Sequence, residues 1–204
     1  MEPYPVNFSV DYPDRSLDRV SSAFRIFWVI PIGIVLGALE HASGGVNHNG
    51  GAIAAAGGAI VAPVVLMLLF RRKYPRWWYD WNLEITRFSN RVGAYSLLMD
   101  DHYPSTDDHQ SVHLEYPVVT GQELNRWLPL VKWLLAIPHY IVLAFLSLAT
   151  FFVVIYAWFA ILFTGHYPEG AFRFVEGVLR WSNRVSAYAF TLVTDDYPPF
   201  RLAA

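Results

Sequence analysis

The sequence predicts an all-α membrane protein with a minor β component: four transmembrane helices in two hairpins, each hairpin followed by an amphipathic interfacial helix and short cytoplasmic strands. Three observations predict it. Hydrophobic residues make up 54% of the 204-residue chain and charged residues only 16%, where a soluble domain carries about 25% charged. Four long apolar stretches alternate with polar segments that hold most of the Lys and Arg. A series of short motifs also occurs twice in the same order, which marks an internal repeat.

The first apolar stretch, Ala23 to Leu39, is broken only by Arg25, and the second, Gly51 to Phe70, carries no charge. Leu128 to Phe163 forms one block whose ionisable side chains are Lys132, His139 and tyrosines. At about 20 residues per crossing that block is too long for one pass. A turn near Ser147 to Thr150 is expected to divide it, as the Gly/Asn/His loop Glu40 to Gly50 divides the first half; one long tilted helix is the competing reading. The passes then fall near 23–39, 51–70, 128–146 and 150–163. Pro31, Pro63 and Pro138 are expected to kink their helices. Gly33, Gly37 and the small residues from Ala52 to Ala59 offer faces for close packing in lipid, within the chain or against a second subunit.

Lys and Arg give the orientation. Arg15, Arg19 and Arg25 precede or open the first pass, Arg71, Arg72, Lys73 and Arg76 follow the second, Arg126 and Lys132 flank the third, and Arg173, Arg180 and Arg184 follow the fourth. The loop Glu40 to Gly50 has neither residue type. The positive-inside rule then places both termini and the central polar segment in the cytoplasm of a multi-pass protein of the bacterial cytoplasmic membrane.

The repeated motifs run through the whole chain. Val10-Asp11-Tyr12-Pro13 matches Leu114-Glu115-Tyr116-Pro117, Ile30-Pro31 matches Ile137-Pro138, and Tyr74-Pro75 matches Tyr167-Pro168. Ser89-Asn90-Arg91-Val92-Gly93-Ala94-Tyr95 matches Ser182-Asn183-Arg184-Val185-Ser186-Ala187-Tyr188. Each unit closes on an acidic residue, one further position and Tyr-Pro, from Asp101 and from Asp195. The units are 1–109, with an amphipathic helix near 76–98, and 110–204, with one near 169–190. Each contains an even number of expected passes, so the repeats are parallel and not inverted.

Ala136-Ile137-Pro138-His139, the stretch Trp158 to Pro168, Arg180-Trp181, Arg184-Val185, Ala187-Tyr188 and Asp196-Tyr197-Pro198-Pro199-Phe200 resemble a bacterial membrane family called domain of unknown function 4389. The resemblance is strong over the second half and looser over the first. It implies a membrane protein and carries no activity and no catalytic residue.

Trp78, Trp81, Ile85, Phe88, Val92 and Tyr95 fall at helical steps of three and four, as do Ala171, Phe174, Val178, Trp181, Val185 and Tyr188. Each series makes one apolar stripe, with Arg87 and Arg91, or Arg180 and Arg184, one turn apart on another face. Trp78, Trp81, Trp181 and the four arginines are therefore candidates to face lipid or a partner. The structural alternative buries the stripe and lets the polar pairs, Asn90 and Asn183 with Asp101 and Asp195, pin each helix to its Tyr-Pro corner. Short alternating runs such as Val6 to Val10 and Ser111 to Leu114 read as strands.

His139 is the one imidazole inside an expected pass, either a proton-relay group or a neutral histidine bonded to a carbonyl freed by Pro138. Asp100 to His113 concentrates acids with His102, His109 and His113, weak metal ligands because no fixed ligand spacing appears. Arg25 and Lys132 are read as snorkelling to the membrane surface. The absence of cysteine excludes disulfides and thiolate sites, and a net charge of -2 offers no field for nucleic acid. No nucleophile–base motif or phosphate loop is present, and no cofactor is implied. The leading expectation is a non-enzymatic accessory or scaffold protein that binds the lipid bilayer or a membrane protein partner at its cytoplasmic face. An oligomeric channel or small-solute pore is the alternative, and a membrane-interface enzyme the second.

Overall fold

The structure, a computed structural model, describes residues 4–42, 64–106, 108 and 110–203. Strand β1 spans Asn7–Val10, and helices α1 and α2 follow at Arg19–Ala23 and Arg25–Ala42. Residues 64–71 form α3. Then come α4 (Arg76–Ser96), β2 (Val112–Glu115), α5 (Pro129–Leu135), α6 (Ile137–Thr164) and α7 (Glu169–Ala189).

Local chemistry sets most of these ends. Asp18 accepts a bond from the backbone N–H of Val20 and caps α1, satisfying a donor that the first turn leaves free. Pro75 and Pro168 stand at the N-caps of α4 and α7, each helix 21 residues long. Gly165 ends α6 with φ 78°, a left-handed cap that glycine adopts without a Cβ clash. Gly121, at φ 92°, lies so close to Lys73 and Tyr74 that a Cβ would fall 2.6 Å from the Tyr74 nitrogen. That approach lets Tyr74 N–H donate to Thr120 O at 3.0 Å.

Four membrane-crossing helices are not found among the described residues. Among the described residues one helix, α6, is long and apolar enough to cross a membrane. The block 128–163 does not turn near Ser147 to Thr150; α6 runs through all 28 residues to Thr164, about 42 Å at 1.5 Å per residue. The reason is local. Leu146 to Phe152 contains no Gly, Pro or Asn, and Ser and Thr do not stop a helix as those residues do. The chain breaks instead at Ala136, between α5 and α6, and Pro138 sits in the first turn of α6, where its missing N–H leaves no helical bond unmade. In the first stretch the apolar part of α2 is short, Arg25–Ala38, with Pro31 inside the helix. Most of the second stretch, with Pro63, lies outside the described residues.

A two-stranded antiparallel sheet joins the halves. Phe8 pairs with Leu114 and Val10 with Val112, and these four side chains are buried because alternate positions point to one face. β2 packs on α4 and β1 on α7, so each strand covers a helix of the other half. Beneath them α4 and α7 meet through Asn90 and Asn183, whose amides exchange bonds of 2.8 and 2.7 Å. Both helices end alike: Leu98 and Leu192 take positive φ, 65° and 57°, and Met99 and Val193 donate back to Ala94 and Ala187.

Candidate functional site

The most unusual chemistry surrounds two of the buried cations, Arg25 and Lys132, 3% and 0% exposed. Neither snorkels. Lys132, on α5, donates to Thr194 O at 2.6 Å and pairs with Asp195 at 2.6 Å. Its Nζ lies 5.1 Å from the centre of the Tyr188 ring. Burial pushes the Lys132 ammonium below its usual range, and Asp195 opposes that by favouring the charged form. Asp195 also accepts from the backbone of Asn125.

Arg25, at the start of α2, occupies the matching place in the first half. Its Nη1 donates to Asp100 O at 2.8 Å, and its guanidinium carbon stands 4.0 Å from the centre of the Tyr95 ring. The carboxylate is placed differently. Asp101, which corresponds to Asp195, is bound by Arg15 and accepts from the backbone of Asp18. Arg25 Nε and Nη2 have no hydrogen-bond partner among the described residues.

Asp100, Asp101 and His102 bring one possible ligand atom each within 4.8 Å of one another. Arg15 Nη2 stands in that same group, bonded to Asp101 and 3.2 Å from both His102 ring nitrogens, so a cation already offsets one of its two carboxylates. Burial raises the Asp100 carboxyl, but bonds from Ser111 and from His102 outweigh that and hold it below the ordinary carboxylate range. His113 pairs with Asp11 at 2.9 Å and not with this group. His109 lies outside the described residues.

The remaining candidates are largely engaged within the fold. Arg87 Nε donates to Leu114 O and Arg180 Nε to Phe8 O, the two carbonyls of one cross-strand pair. Arg91 donates to Ser105 O and Arg184 to Ala203 O. Trp181 is buried and Trp78 partly so, while Trp81 is 44% exposed. On α4 it is Tyr79 and Asn82, not Trp81, that turn inward, because Tyr79 reaches Tyr116 O at 2.9 Å. His139 is buried against Trp181, whose indole donates to its Nδ1 at 3.1 Å, and stacks on Phe200 at 4.0 Å. The bond therefore comes from a side chain on α7, not from a carbonyl freed by Pro138.

Arg25, Lys132 and Arg15 are not singled out as site residues by the sequence. The available signal was that a cation opens the first helix of each half, a position that lipid-surface anchoring explains equally well.

Residues 127–201 match a family described as "Domain of unknown function (DUF4389)". No curated protein and no solved structure matches the chain.

Proposed function

We propose that this protein is a non-enzymatic accessory protein of a bacterial cytoplasmic membrane, anchored by α6 and engaging lipid through the surface around it. The observation that carries the reading is the outer face of α6. Ile141, Phe145, Leu148, Phe151, Phe152, Tyr156, Phe159 and Phe163 are all exposed along it. Exposed apolar surface of this extent is a membrane or partner contact in a stable protein. Trp28, Trp77, Trp127 and Trp133 are exposed as well, and tryptophan concentrates at the membrane–water boundary.

The accessory reading is supported by how the polar groups are used. Asn90, Asn183, Arg87, Arg91, Arg180 and Arg184 hold backbone or each other. Matching roles in both halves also support a duplicated unit, with the match to residues 127–201 covering the second copy. Tyr4 donates to Asp196 O at 3.0 Å, which packs the beginning and end of the chain together. Washing membranes from cells that express the full chain with alkaline carbonate tests the anchor. Retention in the pellet is expected; release into the supernatant would overturn the reading.

A further inference from the structure

The cleft beside Arg25 is where the two halves differ in chemistry. It has a volume of about 580 Å³, within the roughly 300–1,000 Å³ of small-molecule sites. Its walls are apolar, from Ile26 and Val29 on α2, Leu98 after α4, and Phe151, Ile155 and Phe159 on α6. Arg25 and Ser22 also line it. Both are buried, and Arg25 Nε, Arg25 Nη2 and Ser22 Oγ lack a hydrogen-bond partner among the described residues. A buried donor left unmatched is costly, and a guanidinium is costlier than an amide.

The unmatched atoms have a definite shape. Nε–H and Nη2–H form one edge of the guanidinium, two parallel donors that fit the two oxygens of a planar anion. The opposite side is occupied, with Nη1 on Asp100 O and the ring of Tyr95 against the plane. Burial disfavours the Arg25 charge, which Tyr95, Asp101 and Asp100 only partly offset, and Asp101 is directed to Arg15. Lys132 shows what a closed version looks like, with its own carboxylate in place.

We infer that this cleft binds a long-chain fatty acid, its carboxylate on the Nε–Nη2 edge of Arg25 beside the Ser22 hydroxyl and its chain between α2 and α6. The open mouth is apolar, since Ile26 and Phe151 are exposed there, so the chain enters from the surface that the membrane reading assigns to lipid. The proposal deepens that reading and rests on it. A carboxylate at the end of a single chain needs the smallest opening to reach a side chain that is only 3% exposed. A phosphodiester would have to bring its glycerol and second chain to the same closed end.

The test uses the full chain in phosphatidylcholine nanodiscs with carboxyl-labelled palmitic acid, read by native mass spectrometry and by the carboxyl carbon resonance. One palmitate per chain is expected, with hexadecanol, which has the same chain and no charge, not retained. Arg25→Gln should weaken retention at least tenfold, Arg25→Lys less, because charge survives and the fork does not. Val29→Trp fills the cleft without touching the fork and should block binding even if Arg25→Gln folds poorly. Equal retention of hexadecanol, equal retention by Arg25→Gln, or preferential retention of added phosphatidylglycerol would each overturn the proposal. So would a wild type that binds none, which means that water or another part of the chain satisfies the fork. A protein that stays in carbonate-washed membranes yet binds no palmitate keeps its anchor and loses this ligand. Release by carbonate with palmitate binding intact would do the reverse.

Discussion

Arg25 and Lys132 occupy similar places, each beside the end of a 21-residue helix, α4 or α7. Each cation donates to a backbone carbonyl just past the end of a 21-residue helix, Asp100 or Thr194. Each lies against a tyrosine of the shared Ser-Asn-Arg-Val-x-Ala-Tyr motif, Tyr95 or Tyr188. The difference is one carboxylate. Asp195 closes on Lys132, while Asp101 is held by Arg15. A buried charge needs a partner to be tolerated, so the second pocket is complete by itself and the first is not. The lesson is that two buried cations in similar surroundings differ in whether a carboxylate closes on them, Asp195 on Lys132 but Asp101 on Arg15.

Removing each cation is the most direct way to break the comparison. Lys132→Met strands Asp195 and should cost about 3 kcal/mol in thermal melts of the detergent-solubilised protein, the low end for a buried pair because Asp195 keeps 26% of its side chain exposed. Arg25→Met strands no carboxylate of its own, since Arg15 retains Asp101, and should cost about 1 kcal/mol. Equal losses for the two variants would mean that the pockets are electrostatically alike.

The contact between the halves gives a second, smaller effect. Asn90→Leu or Asn183→Leu leaves the other amide buried without its partner and should cost about 2 kcal/mol each. The double variant should lose clearly less than the sum of the single ones, since both remove one interaction. Strict additivity in that cycle would show that the two amides are not coupled.

The smallest effect is expected at His139, whose counterpart in the first half is Ile32, also buried. His139→Leu strands the Trp181 indole N–H and should cost about 1 kcal/mol. His139→Gln can still accept from that indole and should melt closer to the wild type. If Leu is tolerated as well as Gln, the indole bond carries no stability, and the two halves are equivalent at this layer too.

Some of this architecture was open to a reader of the sequence because its signals are local. Pro75 and Pro168 fix φ at the start of α4 and α7, Gly165 permits the left-handed end of α6, and alternation marks both strands. The continuity of α6 belongs to the same class. Nothing near Ser147 breaks a helix, and dividing the block there rested on an analogy with the first half. The inward-facing residues of α4 were only partly legible, because Tyr79 is drawn in by a hydrogen bond to Tyr116 O that no periodicity contains.

Composition and punctuation by themselves determined that this chain is rich in helix, exposes a long apolar segment and repeats its motifs. Tertiary structure alone decided which cation is neutralised. Arg15 and Asp101 are 86 residues apart and Asn90 and Asn183 are 93 apart, so their pairing depends on how the halves dock. Spacing could equally have given Asp101 to Arg25, as Asp195 is given to Lys132. The choice is made by the position of α1, which brings Asp18 and the preceding Arg15 to Asp101 and leaves one edge of Arg25 without a partner beside an apolar cleft.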